Sequence, residues 1–191
     1  LQFVKYFAQF ARNDKQLTTI ADLLSGKTQL DDLEIDTDLR WELLTSLSVG
    51  GKVSKDRIDV ELEADNTANG QKAHAAAMAA MPDLKSKQAI FDKLVNTDEM
   101  SNALVNSASL AFGRVLDTSV LEPFVDQYFS KVLSIWENKS YHMAEYLLVN
   151  LYPLAIVNNA LAAQTEQFLK NPELASKPAL KRIIVENLAS V

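Results

Sequence analysis

The sequence contains no cysteine. That single absence excludes disulfides, zinc–thiolate centres and cysteine nucleophiles together. It fits a reducing compartment, so a cytoplasmic location is the expectation. Histidine is almost as scarce, with only His74 and His142, which leaves too few ligands for a metal site built from histidines. The five glycines are scattered and cannot form a glycine-rich phosphate loop. Neither G-x-S-x-G nor H-E-x-x-H occurs, so the hydrolase elbow and the zincin helix are both missing. No apolar run is long enough to span a bilayer, and no signal peptide opens the chain. The formal net charge is −6 with no basic stripe, which argues against nucleic acid and against anionic membrane as partners.

What the sequence does have is helical periodicity. The chain is 48% hydrophobic over 191 residues, enough for a good-sized core. Apolar residues recur at helical spacing, as in Phe3, Val4, Phe7 and Phe10, then Leu17, Ile20, Leu23 and Leu24. Stops fall at Gly26, at Gly50–Gly51, at Pro82, at Gly113, at Pro153 and at Pro172. Ser54 and Asp83 stand where helix caps are needed, and Pro123 suits a first helical position. The pattern gives an all-α chain of about eleven short helices. Hairpins beginning near Asp38, Thr67, Ser101 and Tyr141 recur every ~30–40 residues, the range of HEAT and armadillo repeats. The expected architecture is an irregular, curved array of helical hairpins, read as one domain over residues 1–191. Leu1 opens directly on a periodic pattern, and "RIIVENLASV" closes on one. The ends therefore read either as cuts in a longer polypeptide or as trimmed termini.

Candidate chemistry is sparse. His142 and Glu145 lie one turn apart in "HMAE", but a metal would need a further ligand pair. His74, among alanines, reads as a surface or groove-edge residue. "DDLEIDTD" gathers five carboxylates, yet it lacks the spacing and glycine of an EF-hand and reads better as a solvated acidic loop that caps the next helix. Phe124, Tyr128, Phe129 and Trp136 share helical spacing and read as core.

The most unusual residue is Arg40. In "DTDLRWELLTSL" it projects from the centre of an arc bracketed by Leu39, Leu43, Leu44 and Leu47, with Trp41 at the edge and Glu42, Thr45 and Ser46 opposite. A guanidinium among leucines needs acceptors. Asp36, Glu61 and Asp65 are the candidates. Two roles stay open: a clamp tying this hairpin to its neighbours, or a cation that meets a substrate carboxylate.

The blocks "LEIDTDLRWELLTSL", "IDVELEADNTANGQKAHAAAMAAMPDLKSKQAIF" and "AFGRV" followed by "LEPFVDQYFSKVLSIWE" resemble, in order and spacing, the C-terminal part of bacterial aminopeptidases N. These have a last domain like that of endoplasmic reticulum aminopeptidase. The resemblance runs from about residue 20 to the end. It implies gluzincin zinc metallopeptidases, whose metal and catalytic residues lie in a central domain outside this chain. It therefore implies no catalytic or metal-binding residue here, with zinc expected only in that missing domain. The implied role is a non-catalytic helical domain that encloses the active-site cavity and helps admit and position peptides. Its partners would be the catalytic domain of the same polypeptide and the peptide substrate. The alternative is a free-standing helical-repeat adaptor for another protein.

Overall fold

A computed structural model of the chain describes residues 1–31 and 33–191. Among the described residues there are eleven α-helices and no strand. In chain order they are α1 (Gln2–Phe10), α2 (Asp14–Leu24), α3 (Thr37–Val49), α4 (Lys55–Ala64), α5 (Ala68–Ala79), α6 (Leu84–Asn96), α7 (Asn102–Phe112), α8 (Pro123–Asn138), α9 (Tyr141–Asn150), α10 (Asn159–Phe168) and α11 (Pro178–Ala189). Short polar side chains start most of them. Asp36, Ser54, Thr67 and Asp83 each accept a hydrogen bond from a backbone N–H in the first turn of the helix that follows, satisfying a group the helix itself cannot. Gly51, at φ +65°, supplies the left-handed residue that ends α3. Three short 3-10 turns, Thr118–Leu121, Leu154–Ile156 and Pro172–Ser176, fill links that periodicity alone leaves blank, being too short to show a period.

The odd-numbered helices α1, α3, α5, α7, α9 and α11 lie side by side in succession. The even-numbered helices lean on that layer: α2 on α3, α4 on α5, α6 on α5 and α7, α8 on α9, and α10 on α11. The result is the helical-hairpin array that the sequence implies. Close approach within the odd layer rests on small residues. Ala77, Ala79, Ala108 and Ala144 are fully buried there. Ser46 donates its hydroxyl to the carbonyl of Ala8 on α1, and Ser48 donates to the carbonyl of Ala77 on α5 at 2.6 Å.

These hydroxyls correct one detail of the sequence reading. Thr45 and Ser46 do not form an outward polar side of α3; both are buried, as is every residue from Leu43 to Val49. α3 has neighbours all round, and small hydroxyl side chains let the adjacent backbones come close while bonding their carbonyls.

The core changes character along the array. Around α1–α3 it is aliphatic, built from residues such as Ile20, Leu39 and Leu43. From α6 onward it becomes aromatic. Phe91, Phe112 and Phe124 form a mutual cluster with ring centroids 5.1–5.9 Å apart. Tyr128 packs 5.5 Å from Tyr152, and its hydroxyl donates to the carbonyl of Leu148 at 2.7 Å. Phe129 and Trp136 pack partly buried against this cluster. No helix is long and apolar enough to cross a membrane among the described residues.

Candidate functional site

Arg40 sits in the first turn of α3, and Arg57 and Glu61 sit one turn apart on α4. Residues four apart share a helix face, so Arg57 and Glu61 face α3 together. Arg40 grips Glu61 with two bonds, Nε to Oε1 at 2.6 Å and Nη2 to Oε2 at 2.9 Å. Arg57 Nη2 adds a third at 2.8 Å to Oε2. The Glu61 side chain is only 5% exposed, whereas both arginine side chains are 36% exposed. The carboxylate thus lies inside and the guanidinium heads sit at the rim, where they keep part of their hydration. The Arg40 hydrogen bond, opposed by burial and aided by Arg57, holds the Glu61 carboxyl below the usual range. The same bond raises Arg40. A single carboxylate between two guanidiniums leaves one net positive charge.

The other two carboxylates considered for Arg40 are placed elsewhere. Asp36 caps α3, accepting from the Leu39 N–H at 2.8 Å. Asp65 accepts from the indole N–H of Trp41 at 2.8 Å and from the Thr67 hydroxyl at 2.9 Å. Trp41 is buried and its N–H needs an acceptor. The pairing joins residues 24 apart in the chain, so helical spacing along α3 alone does not reveal it. The first turn of α5 comes down onto Asp65 so closely that a Cβ at Gly70 would fall 1.8 Å from the Asp65 carbonyl oxygen; glycine is required there.

Beside this cluster, α4 and α6 leave a groove of about 880 Å³ floored by α5. Its floor includes Met78, Met81 and Met100, three of the four methionines in the chain. Methionine is flexible and polarizable, so such a floor adapts to different apolar side chains. The rim carries Lys55, Lys85 and His74. His74 Nε2 lies 2.8 Å from Asp59 Oδ1, which orients the imidazole without supplying a nucleophile. His142 is exposed and stands away from this groove. The acidic run 31–38 includes Asp32, which lies outside the described residues; Glu34, Asp36 and Asp38 are exposed. Among the described residues no three His, Asp or Glu side chains are grouped to hold a metal ion. The described residues therefore do not fit a zinc centre.

The family model for the ERAP1-like C-terminal domain matches residues 1–191. The chain belongs to this family. It is 29% identical over 191 residues to an aminopeptidase N from Streptomyces lividans, a match that covers 100% of the chain and 22% of that relative. The chain thus spans about a fifth of the length of the enzyme it resembles.

This ERAP1-like C-terminal domain also encloses a cation that the sequence does not announce. Lys87, on α6, is fully buried. Its ammonium donates to the carbonyls of Ala79 and Phe112, both at 2.6 Å, and lies 5.0 Å from the Phe112 ring centroid. Ala79 and Phe112 are the last residues of α5 and α7, where helix dipoles present partial negative charge. Burial pushes the Lys87 ammonium down to about 7, with Asp83 pulling the other way. The domain also buries Asn187 of α11, whose amide donates to the Tyr128 hydroxyl at 3.2 Å and to the Leu148 carbonyl at 3.0 Å. The last helix is tied to α8 and α9 in this way.

Proposed function

We propose that this chain is the non-catalytic C-terminal domain of a zinc aminopeptidase, where it walls the active-site cavity and helps admit and position peptides. The whole-chain match to the ERAP1-like C-terminal domain carries the reading, with the aminopeptidase N relative in support. The catalytic residues and the zinc belong to the part of the polypeptide that the chain does not span. A cytoplasmic setting is part of the same proposal.

In this reading the domain acts by exclusion and placement. Holding a peptide along a wall so that its free amine reaches the metal converts a diffusive encounter into an oriented one. The groove between α4 and α6 has the attributes for one contact: an adaptable apolar floor, and lysines at the rim for peptide carbonyls or carboxylates. Within this proposal the Arg40–Glu61–Arg57 cluster is a clamp on the groove wall, since Glu61 and the groove residues Asp59 and Leu62 share α4.

The test uses the full-length enzyme and two substrates, a peptide of about ten residues and a single aminoacyl anilide. Met78→Trp fills the groove. Its expected effect is a roughly tenfold drop in kcat/KM for the peptide with the anilide unchanged. An equal loss on both substrates, or no loss on either, sinks the positioning role. A full-length protein that releases no N-terminal residue sinks the parent-enzyme reading itself.

A further inference from the structure

Four of the arginines in the chain meet acceptors within it. Arg40 and Arg57 share Glu61. Arg182 pairs with Glu186 at 3.5 Å. Arg12 donates from Nη1 to the carbonyls of Gln9 and Ala11. Arg114 differs. It is half-buried, yet among the described residues nothing accepts a hydrogen bond from its guanidinium. Guanidinium donors partly withdrawn from water are costly to leave unmet. In native proteins such groups are met by an ion or by water. The backbone around Arg114 is well fixed. Its N–H donates to the Ala111 carbonyl at 3.0 Å, and the nearby Phe112 carbonyl is held by Lys87.

Arg114 lines a cavity of about 230 Å³ where the ends of α1 and α7 meet the side of α3. Arg12, Gln9 and Ser46 line it too, and no carboxylate does. In a chain of net charge −6, this cavity is bounded by two guanidiniums. Glu42 stands in a neighbouring cavity with Lys5 and Asp38, which Arg114 also lines. Burial lowers the Arg114 guanidinium from its ordinary value; Glu42 opposes this and Arg12 adds to it. An anion between the two arginines turns their repulsion into attraction. The Ser46 hydroxyl already donates to the Ala8 carbonyl. The donors left are the Arg114 fork, Nε and Nη2 of Arg12, and the Gln9 amide. The cavity is smaller than the ~300–1,000 Å³ typical for drug-sized ligands, so it suits a single ionic group. Planar guanidinium forks match the oxygens of a carboxylate or a phosphate. A carboxylate neutralises one of the two charges. A phosphate group, close to −2 at neutral pH, neutralises both. We propose that the Arg12–Arg114 cavity binds a phosphate group, either inorganic phosphate or that of a small phosphomonoester. The bound group ties the end of α1 to the end of α7 across α3. The site shares no residue with the groove between α4 and α6, and it holds whether or not that groove handles peptides.

The test is calorimetric titration of the full-length protein with inorganic phosphate and with glycerol phosphate. Ionic strength is held constant, so that surface charges are screened equally. The expected result is binding with a Kd below about 1 mM for at least one of the two. Arg114→Gln should weaken it at least about tenfold, and Arg12→Gln about threefold or more. Arg114→Lys keeps the charge but loses the fork, and its Kd should fall between those of the wild type and Arg114→Gln. Melting in chloride alone checks that each variant folds. Should Arg114→Gln fail to fold, Arg114→Lys and Arg12→Gln carry the test. The tighter of the two ligands names the source of the phosphate group. Acetate bound as tightly as phosphate overturns the proposal, since a dianion is then not what the cavity reads. Absence of binding by the wild type overturns it. A Kd unchanged in both the Arg114 and the Arg12 variants also overturns it, because the phosphate then sits elsewhere. None of these readouts requires peptidase activity, so failure of this site and failure of the aminopeptidase reading are seen separately.

Discussion

The α3–α4 hairpin and the junction of α5, α6 and α7 each bring a cation inward, and they neutralise it in different ways. At the hairpin, Arg40 and Arg57 share the buried carboxylate of Glu61, and both guanidiniums remain at the rim. At the junction, Lys87 is wholly enclosed and meets only carbonyl oxygens and an aromatic face. A full charge pair can fix the geometry of a hairpin, but its net worth is limited by desolvation. Carbonyls at two helix ends are weaker partners for a cation. The junction must therefore draw its stability mainly from the aromatic cluster around the lysine, and the hairpin mainly from keeping its carboxylate paired.

That contrast can be broken most forcefully from the aromatic side. Phe124 is buried against Phe91 and Phe112, and Phe112 lies under the Lys87 ammonium. Phe124→Ala should cost about 4 kcal/mol in urea unfolding. Next comes Glu61→Ala, which removes the shared partner and leaves two guanidiniums facing each other. Their partial exposure tempers the loss to about 2–3 kcal/mol. Should Glu61→Ala prove more damaging than Phe124→Ala, the apportioning of stability between the two regions is reversed.

Lys87 sharpens the comparison through pH. Its folded value of about 7 lies below the ordinary 10.5, so between these values the unfolded chain binds more protons than the folded one. Stability then rises with pH across that window, and the penalty of burying the ammonium is felt in full below pH 7. Unfolding midpoints of the wild type should climb between pH 7 and 10 relative to those of Lys87→Met. Above pH 10 both proteins should lose stability together, because burial raises Tyr128 and Tyr152 and keeps their phenols protonated in the fold. Parallel pH profiles for the two proteins would show that Lys87 stays charged throughout, held by its two carbonyls.

The same contrast explains what could be seen in the sequence. Helix period, glycine and proline stops and polar caps are local signals, so the eleven helices and their hairpin order were legible. The Arg40 site was half legible. An arginine among leucines flags the need for a carboxylate, but choosing Glu61 over Asp36 and Asp65 depends on how α4 is turned and on the Trp41 indole claiming Asp65. Lys87 was invisible because its partners are backbone carbonyls, which every sequence has everywhere. "KSKQAIF" looks like a surface helix with two ordinary lysines, but only Lys85 is exposed, at a groove rim, whereas Lys87 is enclosed. The burial of Ser46 and Ser48 was hidden for the same reason, their acceptors being the carbonyls of Ala8 and Ala77.

The smallest effect separates the members of the clamp. Arg40→Ala removes a bidentate partner, yet Arg57 remains on Glu61 Oε2 at 2.8 Å, so the carboxylate is not stranded. Arg40→Ala should therefore cost only about 1–2 kcal/mol, well short of the 3–5 kcal/mol typical when a buried charge loses its sole partner. Arg57→Ala should cost less still, roughly 0.5–1 kcal/mol, because it removes one bond from a half-exposed position. The double variant strands Glu61 completely and should exceed the sum of the two by about 1 kcal/mol or more. Strict additivity would mean that solvent already screens Glu61, and Arg40 would then be free to meet a carboxylate other than its own.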